Sequence, residues 1–220
     1  MDVVDIGAKL ALIYMPFLFA LCFHEFAHGY VAKLRGDNTA QMMGRLTLNP
    51  MAHIDWLGTV ILPILSIVTN LNIFFGWAKP VPVNERNLKK PRTDMFWIAL
   101  AGPMSNVLLA IIGAFIASAI AVRMQTSDIQ QPMAMLLSQF ILTNLFLAIF
   151  NLIPIHPLDG GKVLARFLPT AWNYKLEQNQ QQLSFLLLLL FISGALRFLV
   201  YPVYFSYQVL LNFFGAFFHA

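Results

Sequence analysis

Charge is what this sequence has least of. Asp, Glu, Lys and Arg make up 11% of its 220 residues, against 59% hydrophobic residues. A soluble domain carries about a quarter charged residues, so this chain is expected to be a polytopic membrane protein. Cys22 is the only cysteine, which excludes any intrachain disulfide, and among apolar neighbours it reads as packing. There are no repeats and no low-complexity tracts. No polar stretch is long enough for a soluble accessory domain, so the polar stretches read as connectors within one membrane-embedded domain, 1–220. The first apolar run follows "MDVVDIGAK", which has no basic leader, and no small-residue cleavage site comes after it. A removable signal peptide is therefore not expected. The net charge is +4, with Lys and Arg scattered and no aromatic platform beside them. That pattern fits basic cytosolic loops and predicts no nucleic-acid partner.

What is abundant is apolar sequence of spanning length, at about 7–33, 95–121, 133–152 and 183–218. The last run is too long for one crossing. Arg197 and Pro202 interrupt it and predict a helix, a break and a second, short helix. A fifth apolar stretch, 57–75, contains Pro63 and leads into "FGWAKPVPVN", where Pro80 and Pro82 favour extended backbone. Residues 41–48, "QMMGRLTL", predict a short strand whose edge could take up an extended peptide by main-chain bonding. The expected fold is an all-α polytopic helical bundle. A short β-hairpin or re-entrant element is expected between the first and second full spans.

Within the first span stands "HEFAH", residues 24–28. Ionisable groups at membrane depth cost about 2.5 kcal/mol or more, so they have a task or a partner. His24 and His28 are four residues apart and lie on one helix face, where both imidazoles can reach one ion. Glu25 lies about 100° round the helix, placed to act as general base on water beside that ion without ligating it. This is the zincin pattern. A catalytic zinc needs a third protein ligand. Asp159 is the best placed, directly after the 133–152 span in "NLIPIHPLDGGKVL", where Pro154, Pro157, Gly160 and Gly161 break the helix at membrane depth. His156 is the rival ligand.

Three motifs together resemble a known family: HEFAH, "AGPMSN" (101–106) and "NLIPIHPLDGG" (151–161). They look like the site-2 proteases, intramembrane zinc metalloproteases of the peptidase M50 group, and the resemblance runs from about residue 15 to 166. "GRLTLNPMAHID" and "GWAKPVPVN" also resemble bacterial members. The resemblance implies that His24, His28 and Asp159 bind one Zn²⁺ and that Glu25 is the catalytic base. It places on Asn151 a residue that helps to hold the substrate or the oxyanion, and leaves His156 unassigned. Asn106 is a second candidate for such contact. It and Asn144 could line a wet cavity or hydrogen-bond between helices. The implied activity is endoproteolysis of transmembrane segments of membrane-anchored proteins, with the lipid bilayer and an unidentified adaptor or regulator as further partners. Many relatives carry a PDZ or CBS domain. This chain has room for neither and reads as a minimal form.

Two other classes compete. A zinc-binding pseudoprotease or chaperone would have no use for Glu25. A metal transporter would show paired halves, and none is present.

Shared ligation also constrains topology. His28 and Asp159 each lie near the end of a span, so they must emerge on the same side. That parity requires 57–75 to dip and return rather than cross. Connectors 33–94 and 153–182 then share a side and hold eleven of the 14 Lys and Arg residues. The positive-inside rule puts that side, with the site, toward the cytosol and the N-terminus outside. The resemblance to bacterial members implies a bacterial inner membrane.

Overall fold

Long runs of Leu, Ile, Ala and Phe satisfy their backbones in lipid as helices. The computed structural model describes residues 3–69, 76–123 and 129–219, and every regular element among them is helical. Among the described residues three helices are long and apolar enough to cross a membrane: α1 (Ile6–Leu34), α3 (Pro91–Arg123) and α4 (Gln130–Asn151), with α2 (Trp56–Val68) between the first two. Even the shortest of them, at 22 residues, is about 33 Å long, enough for a hydrocarbon core of about 30 Å. The chain is an integral membrane protein. Local chemistry sets the helix starts. Pro91 opens α3, where a missing N–H costs nothing, and Asp94 Oδ2 accepts the Lys90 N–H at 2.8 Å. In α1 a π-helical turn, Leu10–Tyr14, sits just before Pro16, which removes a donor from the ladder.

α2 (Trp56–Val68) is short. It joins a six-residue π-helical turn to a seven-residue α-helix, a rise of about 20 Å in total. The last part of the expected 57–75 stretch, 70–75, lies outside the described residues. The two ends of the excursion nevertheless meet. The Trp77 N–H donates to Gly58 O (3.1 Å), Lys79 N–H to His53 O (2.9 Å), and Thr59 Oγ1 to Trp77 O (2.7 Å). The described residues on either side of 70–75 thus lie hydrogen-bonded side by side.

The expected strand at 41–48 is not formed, and no strand occurs among the described residues. Thr39–Met42 is a four-residue helix that ends through Gly44 (φ +66°), with Arg45 N–H bonded back to Ala40 O. The carbonyls that a partner strand would use go to side chains instead: Thr47 O lies 2.8 Å from His53 Nε2, and Leu48 O accepts from Cys22 Sγ. The alternation of apolar and polar residues there reflects a turn lying on α1.

After α4, a loop leads into α5 (Asp159–Ala165), α6 (Thr170–Gln178) and α7 (Gln180–Ile192). The last apolar run does break, in the stretch 193–199 that contains Arg197, but not at Pro202. The chain bends by 78° around Gly194, whose φ is +75°, before a 3-10 turn and α8 (Val200–His219). Pro202 falls in the first turn of α8, where it is tolerated. α8 has 20 residues and is longer than α7, not the expected short helix. If the bent pair counts as one crossing, the spans among the described residues number four.

The bundle closes through small residues. Ala110 and Ala114 of α3 meet Ile141 and Leu145 of α4 and Val203 of α8. Phe17, Ala20 and Leu21 of α1 pack on Ala78 and Leu147. Small side chains let helices approach where lipid supplies no hydrophobic drive. Leu108, Phe115, Phe205 and Phe213 face outward, as a bilayer-facing surface requires.

Candidate metal centre

His24 and His28 occupy successive turns of α1, and their rings stand 4.6 Å apart at 84°. Asp159 is the first residue of α5. The loop before it folds so tightly that a Cβ on Gly160 would lie 2.3 Å from Leu152 O, so glycine there brings the carboxylate in toward α1. Asp159 Oδ2 lies 3.0 Å from His24 Nε2 and 3.2 Å from His28 Nε2, and the two Nε2 atoms are 3.0 Å apart. All three side chains are buried. Burial by itself raises the Asp159 carboxyl pKa, but the two imidazoles outweigh it and hold the group well below the usual carboxylate range.

These residues fit a metal ion. Tetrahedral zinc with bonds of about 2.0–2.1 Å sets its donors about 3.3–3.4 Å apart, close to the spacing found here. The far ring nitrogens are also engaged. His28 Nδ1 is 2.6 Å from the Ile98 carbonyl, which can only accept, so His28 carries a proton on Nδ1 and Nε2 is the atom left to ligate an ion. His24 Nδ1 lies 2.7 Å from Asn106 Oδ1. Gly102 of α3 closes the site from behind: a Cβ there would fall 2.4 Å from His28 Nε2 and 2.6 Å from His24 Nε2.

Glu25 is outside this trio. Its Oε2 accepts the Val81 N–H at 2.7 Å, from the extended "KPVPV" segment predicted by the prolines. Glu25 shares a cavity of about 170 Å³ with the three candidate ligands, Asn151 and Lys162. A second, mainly apolar cavity of about 400 Å³ runs between α1, α4 and α7 and shares His24, Glu25 and Asn151 with the first. Asn151 stands where the two cavities meet, its Nδ2 donating to Leu147 O at 3.0 Å.

The remaining candidates fall elsewhere. Asn106 does not line the cavity; it is fully buried behind His24, with no surface left for substrate. His156 lines a separate polar pocket with Arg92, Lys162 and Glu177 and is not among the convergent ligands. Its pKa is lowered, chiefly by burial and further by Lys162, against an opposing pull from Glu177. Two backbone groups, Val81 N–H and Ile98 O, take parts no side-chain motif could have announced.

Two helical imidazoles, a carboxylate brought in from another helix and a second carboxylate alongside form the frame of a membrane-embedded metallohydrolase. The comparisons agree. Residues 116–194 match the model of Peptidase family M50. The "Putative zinc metalloprotease YwhC" of Bacillus subtilis is 36% identical over 184 residues, 82% of this chain and 80% of that protein. The "Putative zinc metalloprotease Rip2" of Mycobacterium tuberculosis strain H37Rv is 27% identical over 84% of this chain and 68% of its own length. The "Zinc metalloprotease MJ0392" of Methanocaldococcus jannaschii is 25% identical over 74% of this chain and 36% of its own. No solved structure matches. The chain belongs to peptidase family M50 and is a metalloendopeptidase.

Proposed function

We propose that this protein is a zinc-dependent intramembrane endopeptidase that cleaves transmembrane segments of membrane-anchored proteins. The observation that carries the reading is the convergence of His24, His28 and Asp159, whose ligand atoms all lie within 4.8 Å of one another, beside Glu25 and an apolar cavity. Held by these three residues, zinc supplies a Lewis acid that polarises the scissile carbonyl and activates water. Glu25 is the general base. The Val81 N–H fixes one of its carboxylate oxygens, and the other takes the proton from water and passes it to the leaving amine. A helical substrate hides its carbonyls in i→i−4 bonds, so it must unwind before attack. The apolar cavity receives its side chains, and Asn151, where the cavities meet, contacts the unwound backbone or the oxyanion.

The distribution of Lys and Arg supports an active site on the cytosolic side, and the similarity to a Bacillus subtilis relative supports a bacterial inner membrane. A binding-only pseudoprotease does not account for Glu25 being aimed by a backbone donor into the same cavity. A metal transporter does not account for a donor trio closed from behind by Gly102. The test is cleavage of a labelled single-span protein by the purified enzyme in proteoliposomes. The expected outcome is a cut inside the span, abolished by a zinc chelator and restored by added zinc. Cleavage confined to water-exposed segments would contradict the reading.

A further inference from the structure

We infer that Asn106 is a positioning residue that sets the tautomer and ring orientation of His24, and that Asn144 fixes the direction of Asn106. The inference rests on zinc binding at the trio proposed above. Asn106 of α3 and Asn144 of α4 are both fully buried, and buried amides must spend their donors and acceptors inside the protein. Asn144 Nδ2 donates to Phe140 O at 2.9 Å. That leaves Asn144 Oδ1 to accept from Asn106 Nδ2, also at 2.9 Å, and the same Nδ2 donates to Ala20 O at 3.1 Å. Carbonyl oxygens cannot donate, so the atoms facing Phe140 O and Ala20 O have to be amide nitrogens. Reversing either amide would set oxygen against oxygen. Asn106 Oδ1 is thereby the atom 2.7 Å from His24 Nδ1, and as an acceptor it obliges His24 to hold its proton there. The Nε2 lone pair is then directed at the point shared with His28 and Asp159.

The two imidazoles are thus oriented by different means. His28 leans on a backbone carbonyl of α3. His24 leans on a chain of side chains that crosses three helices and begins at Phe140 O. Both amides could have been ordinary interhelical glue, but the direction of the chain, forced at two carbonyls, makes its end specific. Partners of this kind are worth about 10–100-fold in metal affinity.

Two measurements test this. One is zinc affinity by chelator competition in wild type, Asn106→Leu and Asn144→Leu. The other is the ¹⁵N spectrum of the histidines in the metal-free protein, assigned with His24→Gln. Zinc binding about 10–100-fold weaker in Asn106→Leu is expected, with a smaller loss in Asn144→Leu, which leaves the His24 partner in place. His24 of the metal-free wild type should be protonated at Nδ1 and should lose that preference in Asn106→Leu. A purely structural role would lower thermal stability without changing the tautomer. The inference is overturned if both variants bind zinc within twofold of wild type, or if wild-type His24 carries its proton on Nε2. Should Asn106→Leu fail to fold, Asn144→Leu and the wild-type tautomer still decide. A wild type that binds no zinc would remove the proposed function, while the tautomer would still decide what Asn106 does.

Discussion

Glu25→Gln is expected to slow cleavage of a membrane-embedded substrate by about 10²–10⁴-fold while leaving zinc content at the wild-type level. The expectation follows from where the side chain sits. Glu25 lines the same cavity as the trio, but the atoms that converge belong to His24, His28 and Asp159. Gln has the same shape and keeps an oxygen for the Val81 N–H, so the extended segment beside the site stays in place. What disappears is the ability to take a proton and return it. Measuring rate and bound zinc on one preparation separates the roles. Zinc lost in parallel with activity would make Glu25 a ligand, and an undiminished rate would move the base elsewhere.

Gly102→Ala removes no ligand, yet the site should fail. The added Cβ would lie 2.4 Å from His28 Nε2 and 2.6 Å from His24 Nε2, where real Cβ contacts shorter than 3.0 Å are essentially never seen. Neither ring can retreat freely, since His28 is tied to Ile98 O and His24 to Asn106. The imidazoles must shift, and a misplacement of about 1 Å is enough to cost about 100-fold. Zinc affinity and cleavage rate should each fall by at least about that factor. The helix itself should not suffer, because Ala is the better helix former by about 1 kcal/mol. Wild-type zinc binding in a folded Gly102→Ala protein would show that the rings are not packed against α3 as described.

Much of the site was legible because its side chains obey simple spacing rules. His24 and His28 share a helix face at any depth, and the break before Asp159 announces itself through Pro154 and Pro157, whereas Gly160 and Gly161 fall inside α5 rather than in the break. Requiring His28 and Asp159 to share an ion led to the expectation that 57–75 dips and returns, and the hydrogen bonds between Gly58 and Trp77 are compatible with it. Other parts could not be read. Val81 N–H and Ile98 O are backbone groups and have no signature in residue type. Asn106 was visible as a polar residue near the site, but the direction of its amide depends on Ala20 O and on Asn144, and hence on how three helices pack. The strand expected at 41–48 failed because alternation over eight residues does not distinguish a strand from a turn whose carbonyls are taken by Cys22 and His53. In the C-terminal run the break fell at Gly194, since a proline in the first turn of a helix interrupts nothing.

The central claim is that one zinc is held by two helical imidazoles and a carboxylate more than a hundred residues away in the chain. The most direct test is zinc per chain, by mass spectrometry, in detergent-purified wild type and Asp159→Ala. The account predicts about one zinc per wild-type chain and its loss, or strong weakening, in the variant. Zinc retained in full by a folded Asp159→Ala protein would contradict it.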